Sequence, residues 1–183
     1  MGVLVKKATQ EPVVQQQEVQ YLTFLLGNEM FAIDILGIKE IIEYGSLTSV
    51  PMMPEFIRGV INLRGAVVPV VDLSARFGRP ASAVTRRSCI VIIEAESEGE
   101  KQDLGVVVDA VSEVLEIPAA EIEPAPSFGT KIRPDFISGM GKVKDKFVII
   151  LDAGKVLSVD EMAVLSGADG NGTDTLATLG SRE

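Results

Sequence analysis

The feature that most constrains this 183-residue chain is a succession of short apolar runs, rich in Val, Ile and Phe, separated by Gly, Pro, Asn and Asp. Runs of this length between turn-forming residues are typical of β-strands. No segment long enough for a helical crossover separates them, so a parallel α/β sheet is not expected. The spacing predicts an all-β fold, built as a barrel or as a sandwich.

Two pairs of runs have the pattern of β-hairpins. The turn of the first falls at Gly27-Asn28, and the turn of the second falls at Arg64-Gly65. Pro69, in the second hairpin, indicates a sheet edge or a bulge, because proline has no N–H to donate to a ladder. The predicted hairpin strands are Tyr21–Leu26 with Met30–Ile35, and Gly59–Leu63 with Ala66–Leu73.

Six further runs complete the predicted set of strands. In one of them Ile38 and Glu40 share a face, and a carboxylate beside isoleucine indicates a face that is not simply core. The stretch from Glu94 to Asp103 carries four glutamates and predicts an exposed loop between two strands. The six runs are Ile38–Tyr44, Cys89–Glu94, Leu104–Val108, Glu113–Ile117, Gly139–Val143 and Lys146–Leu151.

Helical signals are few and short. Pro54 suits the first turn of a short helix, because the N–H that proline lacks has no intrahelical partner there. Asp152 can cap a helix over Ala153–Leu157, and Ser158 to Glu161 has capping-box spacing before Met162–Leu165. We therefore expect short helices at the C-terminal end of an all-β body.

Both ends of the chain are polar or rich in turn-forming residues. This composition predicts flexible tails at 1–18 and 167–183 around a folded body at 19–166. No run reaches the roughly 20 apolar residues of a membrane-spanning helix, and the first residues lack the apolar core of a secretory signal. We expect a cytoplasmic protein with no direct insertion into a membrane.

The chain has no histidine and a single cysteine, Cys89. This composition excludes a histidine-assisted nucleophile, a zinc site of imidazoles or several thiolates, and a histidine that carries a phosphoryl group. The net charge is −9 and no dense basic patch offsets it, so no nucleic acid partner is expected. We predict no cofactor and no metal.

A few polar groups could still carry chemistry. The Gly139-Met140-Gly141-Lys142 segment lacks the full glycine spacing of a phosphate loop, which disfavours nucleotide binding. Asp72, Asp109 and Asp152 stand at strand ends, where aspartate often bonds nearby backbone. A hydrolase that uses carboxylates alone stays open. Arg64, at a hairpin tip, is either a plain surface charge or a recognition group for a carboxylate.

Many segments of the body match the pattern of one known family. The most specific are the Asn62-Leu63-Arg64-Gly65 hairpin and the Val68–Leu73 strand after it. Through these segments the sequence resembles, over about residues 18 to 166, the CheW-type coupling proteins of bacterial chemotaxis. The other matching segments are Tyr21–Phe24, Phe31–Ile35, Lys39–Ile41, Val50-Pro51 with Pro54, Phe56–Ile61, Arg76–Gly78, Gly105–Asp109, Val111–Leu115 and Ile137–Gly141.

The resemblance implies a fold of two small five-stranded SH3-like β-barrels that share a hydrophobic core. It implies an adaptor that is not an enzyme. Its partners would be the regulatory domain of a chemotaxis histidine kinase and the cytoplasmic tip of methyl-accepting chemoreceptors. By holding both, the adaptor would let receptors control the kinase within membrane-associated arrays.

The family pattern also implies roles for single positions. Arg64 matches an arginine important for coupling to both partners. Ile33 and Ile35 are assigned to a receptor-facing groove, although core packing explains them equally well. The implied kinase-binding residues are Ile38, Glu40, Gly59 and Arg64, and the implied receptor-binding residues are Arg64, Gly105, Val114, Ile33 and Ile35.

Two hypotheses about the surface follow from these residues. Ile38, exposed beside Glu40, would form an apolar anchor with a polar rim. Glu40 and Arg64 are expected to approach each other, so that their pairing tunes coupling. Ser74 departs from the family, since relatives often carry arginine there. The alternatives are a coupling protein of another motility pathway and a small enzyme, which would need a cleft with converging carboxylates.

Overall fold

The computed structural model of the chain describes residues 19–97, 99–125 and 132–158. Two short α-helices lie in these ranges, α1 (Leu73–Arg76) and α2 (Ala153–Val156). The strands in the same ranges are β1 (Val19–Leu26), β2 (Glu29–Asp34), β3 (Ile38–Glu43), β4 (Ile57–Leu63), β5 (Ala66–Asp72), β6 (Cys89–Ser97), β7 (Glu100–Val108), β8 (Ala110–Ile117), β9 (Ile122–Glu123), β10 (Ile137–Val143) and β11 (Lys146–Leu151).

The strands form two sheets. Sheet A has the order β8-β1-β2-β11-β10-β9, and sheet B has the order β3-β6-β7-β5-β4. Most neighbours are antiparallel, but β11 pairs with β2 in parallel, and β5 pairs with β7 in parallel. The middle of the chain therefore forms sheet B, while segments from before and after it form sheet A.

The two edges of each sheet come close together. In sheet B, Thr48 and Val60 of β4 exchange two backbone hydrogen bonds of 3.0 and 2.9 Å. In sheet A, the Ile117 side chain at the end of β8 lies against Gly141 of β10. Each sheet thus curls as in a small SH3-like barrel, although no continuous ladder closes either one within the described residues. The all-β prediction is confirmed, with β9 as a sixth strand in sheet A.

A shared apolar core fills the space between the two sheets. Its centre is a row of four phenylalanine rings whose successive centroids are 6.1, 5.8 and 6.1 Å apart. Both sheets and both helices contribute side chains to this core. The rings belong to Phe24, Phe31, Phe77 and Phe136.

The β4-β5-α1 unit of sheet B is repeated by the β10-β11-α2 unit of sheet A. Each unit places an aspartate after its second strand, and the N–H of that aspartate donates to a phenylalanine carbonyl, at 2.7 Å for Asp72 and 2.8 Å for Asp152. Each carboxylate also accepts from an N–H of the helix that follows, as the strand-end prediction requires. In this repeat Lys144 is the equivalent of Arg64. The sheet order also makes β8 the equivalent of β3.

The predicted loop between Glu94 and Asp103 is wrong. β6 and β7 continue through it as one antiparallel ladder, in which Glu94 faces Asp103 and Ser97 faces Glu100. Lys39 Nζ lies 3.1 Å from Glu94 and 2.7 Å from Asp103, which stabilises the acidic ladder. The acidic stretch therefore belongs to an exposed pair of strands, β6 and β7, and not to a loop.

Other local predictions need correction as well. The N–H of Ile57 donates to the carbonyl of Pro54 at 2.9 Å, which makes a single turn before β4 and no helix. Pro69 lies in the internal strand β5, and its pairing with β7 begins only at Val70. Helix α1 was not predicted. Helix α2 agrees with the predicted cap at Asp152, whereas the second predicted helix and both tails lie outside the described residues.

Candidate partner-binding surface

The β4-β5 turn projects Arg64 from one end of sheet B. Arg64 and Gly65 both have positive φ, 51° and 86°, which is the conformation of a tight two-residue hairpin turn. The N–H of Gly65 donates to Asn62 Oδ1 at 2.9 Å and holds the turn. The Arg64 side chain is 78% exposed. Its guanidinium therefore projects outward from the hairpin tip.

Arg64 forms an ion pair with Glu40. Arg64 Nη2 lies 2.9 Å from Glu40 Oε2. Glu40 lies on the outer strand β3 and Arg64 on the turn that follows the opposite outer strand β4, so their pairing spans the gap between those strands. The expected approach of the two side chains is confirmed. An ion pair this exposed contributes about 0–1 kcal/mol to stability, so its importance lies in how it arranges the surface.

Strand β3 carries Glu40 at a β-bulge. Ile38 faces Ile93 while Glu40 faces the adjacent Ile92, so Lys39 is the extra residue. Ile38 is only half exposed and packs against the shared core. The exposed isoleucine of this strand is Ile41, at 42%. The expectation of an exposed anchor at Ile38 is therefore corrected: the bulge turns Ile38 inward.

Gly59 permits the close approach of β4 to the segment after β3. A Cβ atom built at this buried position would lie 2.5 Å from the Thr48 carbonyl oxygen. Any side chain would push apart the backbone bridge between Thr48 and Val60. Gly59 therefore influences the surface by allowing sheet B to curl, since it has no side chain to contact a partner.

A shallow opening of about 400 Å³ lies between the outer strands of sheet B. It is lined by Ile42 and Glu43 of β3 and by Val60, Ile61, Asn62 and Leu63 of β4, with Thr48 between them. Arg64 and Glu40 span the same two strands. This end of sheet B thus combines a shallow opening with a bridging ion pair, while Ile41 is exposed on the opposite face of β3.

The equivalent end of sheet A has a larger, more enclosed and more apolar groove. A groove of about 550 Å³ lies there, with Glu113 and Lys144 among its polar residues. No ion pair joins these two residues within the part of the chain that the structure describes. Val114 of β8 is 46% exposed, as a contact residue would need to be. The apolar lining is formed by Leu25, Met30, Leu115, Met140, Val143, Val148 and Ile149 together with the exposed Phe147.

The remaining predicted site residues are internal. Gly105 is buried inside sheet B, where a Cβ would lie 2.8 Å from Ile90 and 3.3 Å from Val70. Ile33 is 3% exposed in the shared core, and Ile35 is half-buried in the 3₁₀ turn before β3. The structure brings Glu40, Arg64 and the curl at Gly59 together at one end of sheet B. It does not bring Gly105, Ile33 or Val114 to that surface.

A buried ion pair at the other end of β4 was missed at the sequence level. Arg58 Nε lies 2.9 Å from Asp72 Oδ2, and Asp72 is fully buried. The same carboxylate accepts from the N–H and the hydroxyl of Ser82, while Arg58 donates to the Tyr44 hydroxyl at 3.3 Å. This network ties β4 and β5 to the segment after β3 and to the loop after α1. The one sign of this ion pair in the sequence was Arg58 itself, which stands at the position where the repeat in sheet A has Ser138.

Metal and membrane sites were also sought in the described ranges. No group of three or more Cys, Asp or Glu residues there is arranged to hold a metal ion. Neither described helix could cross a membrane, as each has only four residues. The described surface consists of sheet edges, apolar openings and ion pairs.

Comparisons with known proteins agree with this architecture. The sequence profile of the CheW-like domain family matches residues 20–161. The chemotaxis protein CheW of Klebsiella aerogenes is 36% identical over 146 residues, which cover 80% of this chain and 86% of that protein. The CheW of Rhizobium meliloti is 31% identical over 142 residues, which cover 78% and 89%. The crystal structure of the scaffolding protein TtCheW from Thermoanaerobacter tengcongensis superposes with a TM-score of 0.70 at 36% identity, and the match covers 82% of this chain and 94% of that one.

The two curled sheets with their shared core have the fold of a scaffolding protein. The profile match spans most of the chain, and the relatives match it over most of their own length. The chain belongs to the CheW family of chemotaxis scaffold proteins. The family resemblance of the sequence is therefore confirmed.

Proposed function

We propose that this protein is a non-catalytic adaptor that couples chemoreceptors to the chemotaxis histidine kinase. The observation that carries the proposal is the Arg64–Glu40 ion pair across the outer strands of sheet B. The pair joins the Asn62–Gly65 hairpin to strand β3, and both segments match the sequence pattern of the family. Membership of a family of chemotaxis scaffolds supports the same role.

The kinase regulatory domain docks on this end of sheet B. Glu40 and Arg64 contact it directly, and the exposed Ile41 adds apolar area on the other face of β3. Ile38 and Gly59 act from within, because Ile38 packs on the shared core and Gly59 lets β4 approach Thr48. A small apolar patch with a charged rim is a usual composition for such an interface.

The cytoplasmic tip of a methyl-accepting chemoreceptor is the second partner. Val114 and Arg64 have the exposure that direct contact requires. Gly105 and Ile33 act through packing, because a change at either alters the barrel or the shared core, and Ile35 acts through the 3₁₀ turn that leads into β3. Held by these two partners, the protein works in the cytoplasm at membrane-associated receptor arrays.

Arginine substitution tests the assignment of the sheet B surface. We expect Arg64→Ala to weaken binding of the kinase regulatory domain roughly tenfold, the loss typical of an arginine at the centre of an interface. Lys144→Ala is the matched control, because Lys144 occupies the same turn position of the repeat with nearly the same φ, 48° against 51°. Titration calorimetry measures both affinities.

Exchanging the two charges distinguishes the effect of the ion pair from the effect of each side chain alone. Glu40→Arg with Arg64→Glu restores an ion pair of opposite polarity across the same strands. If the pair arranges the surface, the double variant binds better than either single variant. Wild-type affinity in Arg64→Ala, or equal losses in Arg64→Ala and Lys144→Ala, would contradict the proposed function.

A further inference from the structure

Strand β8 contains a bulge that faces the hydroxyl of a buried threonine. Leu22 of β1 faces Val114 and Phe24 faces Val111, so Ser112 and Glu113 both lie opposite Thr23. The Thr23 hydroxyl donates to the Glu113 carbonyl oxygen at 2.7 Å, and the Glu113 N–H donates to the Thr23 Oγ1 at 3.1 Å. One side chain therefore satisfies both backbone groups of the bulged residue.

Burial of the Thr23 hydroxyl is unfavourable by itself, and the two hydrogen bonds to Glu113 offset this cost. Thr23 is 0% exposed, and a buried hydroxyl is unfavourable unless it is hydrogen-bonded. Its neighbours on β1, Leu22 and Phe24, both belong to the shared core. A valine would fill the same volume, but it would leave the Glu113 N–H and carbonyl without these partners.

The repeat shows that the equivalent bulge in sheet B is held differently. Ile92 of sheet B occupies the position that Thr23 has in sheet A. In sheet B, Val70 pairs with Gly105, which pairs with Ile92. In sheet A, Ile150 pairs with Ala32, which pairs with Thr23. Isoleucine offers no hydroxyl, and the sheet B bulge is held from outside by Arg64 on Glu40. Among the described residues, Lys144 makes no such ion pair with Glu113. Sheet A therefore holds its bulge from inside.

We propose that Thr23 is a positioning residue, which fixes the β8 bulge so that Val114 is presented to the receptor on the face of β8 opposite to the groove residues Glu113 and Leu115. Val114 follows Glu113 directly and is 46% exposed. The inference rests on the proposed receptor contact of Val114. Without the Thr23 hydroxyl, the bulge can shift its register, and a one-residue slip would turn Val114 to the other face.

Two variants at position 23 separate the hydroxyl from the volume of the side chain. Thr23→Val keeps the volume and removes both hydrogen bonds, while Thr23→Ser keeps the hydroxyl. We expect Thr23→Val to bind a receptor-tip fragment about three- to tenfold more weakly, within the range of coupled neighbours, and Thr23→Ser to bind like wild type. Ile150→Val removes one methylene group from the core of the same sheet and serves as the control for lost stability. It should leave the affinity unchanged.

A double-mutant cycle with Val114→Ala shows whether Thr23 acts through Val114. The effect of Thr23→Val on affinity should disappear in the Val114→Ala background. Equal effects in both backgrounds, or wild-type affinity of Thr23→Val where Val114→Ala binds weakly, would overturn the inference.

Hydrogen exchange of the Glu113 amide tests the bulge without any receptor. It should accelerate in Thr23→Val and stay slow in Thr23→Ser and Ile150→Val. Unchanged exchange in Thr23→Val overturns the inference, whatever the affinities are. If Val114→Ala binds the receptor tip normally, the receptor assignment of Val114 in the proposed function fails instead, and the exchange rates still decide whether Thr23 fixes the bulge.

Discussion

Asp72 and Asp152 occupy equivalent positions in the two repeats, but their surroundings differ. Both cap a four-residue helix after a strand. Asp72 is in addition fully buried and paired with Arg58, whereas Asp152 is partly exposed and has no arginine beside it in the matching strand. The same residue type therefore stabilises the two halves to different degrees.

Substitution of the two aspartates should show this difference. We expect Asp72→Ala to lower the free energy of unfolding by about 3–5 kcal/mol, because it leaves a buried charge on Arg58 without its partner. Asp152→Ala, the matched control, removes only a helix cap and should cost about 1 kcal/mol. Urea unfolding followed by circular dichroism measures both losses, and equal losses would contradict the role assigned to Asp72.

Gly59 makes a second prediction at the scale of one residue. An added Cβ would meet the Thr48 carbonyl oxygen at 2.5 Å, so Gly59→Ala should destabilise the protein by about 1–3 kcal/mol through overpacking. Gly45→Ala is the control, because a Cβ there meets nothing within 4 Å. Its effect should stay within about 1 kcal/mol. A Gly59→Ala protein as stable as the control would rule out the close approach.

At the scale of elements, the outer end of the β6-β7 hairpin is held by charge. Glu94 accepts from Lys101 at 3.0 Å and from Lys39 of β3 at 3.1 Å. These hydrogen bonds, first from Lys101 and then from Lys39, lower the pKa of Glu94 below its usual value. The ion pairs join three neighbouring strands of sheet B, including the one that carries Glu40.

The lowered pKa of Glu94 gives this element a pH dependence. A carboxyl group whose pKa is lower in the folded protein contributes stability above its unfolded value and loses it as the pH falls through the folded value. Wild type should therefore be more stable than Glu94→Gln at neutral pH, and the difference should vanish as the pH falls below about 4.5. Denaturant unfolding across this range measures it. Glu96→Gln on the same strand is the control, and a difference that grows at low pH would contradict the account.

The strand elements could largely be predicted from the sequence, because alternation and turn residues act locally. The β1-β2 hairpin, the β4-β5 hairpin and β3 all lie where the apolar runs place them. The acidic ends of β6 and β7 could not be recognised, since their stability comes from pairing with each other and with Lys39. The turn at Pro54 stays a single turn because β4 begins at Ile57.

At the scale of the whole molecule, the exposed candidate pair lies where the two edges of sheet B approach each other. The sequence indicated a candidate pair, Glu40 and Arg64, and the curl of sheet B brings them within 2.9 Å. It did not reveal the buried Arg58–Asp72 pair or the burial of Gly105, because both arise from contacts between strands distant in the chain. Residues identified through the family thus divide into exposed positions and internal packing positions.

The proposed adaptor must hold two partners at once, and this is its central claim. A mixture of the protein, the kinase regulatory domain and a receptor-tip fragment, analysed by sedimentation velocity, tests the claim most directly. The account predicts one species that contains all three components and that is lost with Arg64→Ala but not with Lys144→Ala. Two separate binary complexes, in which kinase and receptor compete for the protein, would contradict it.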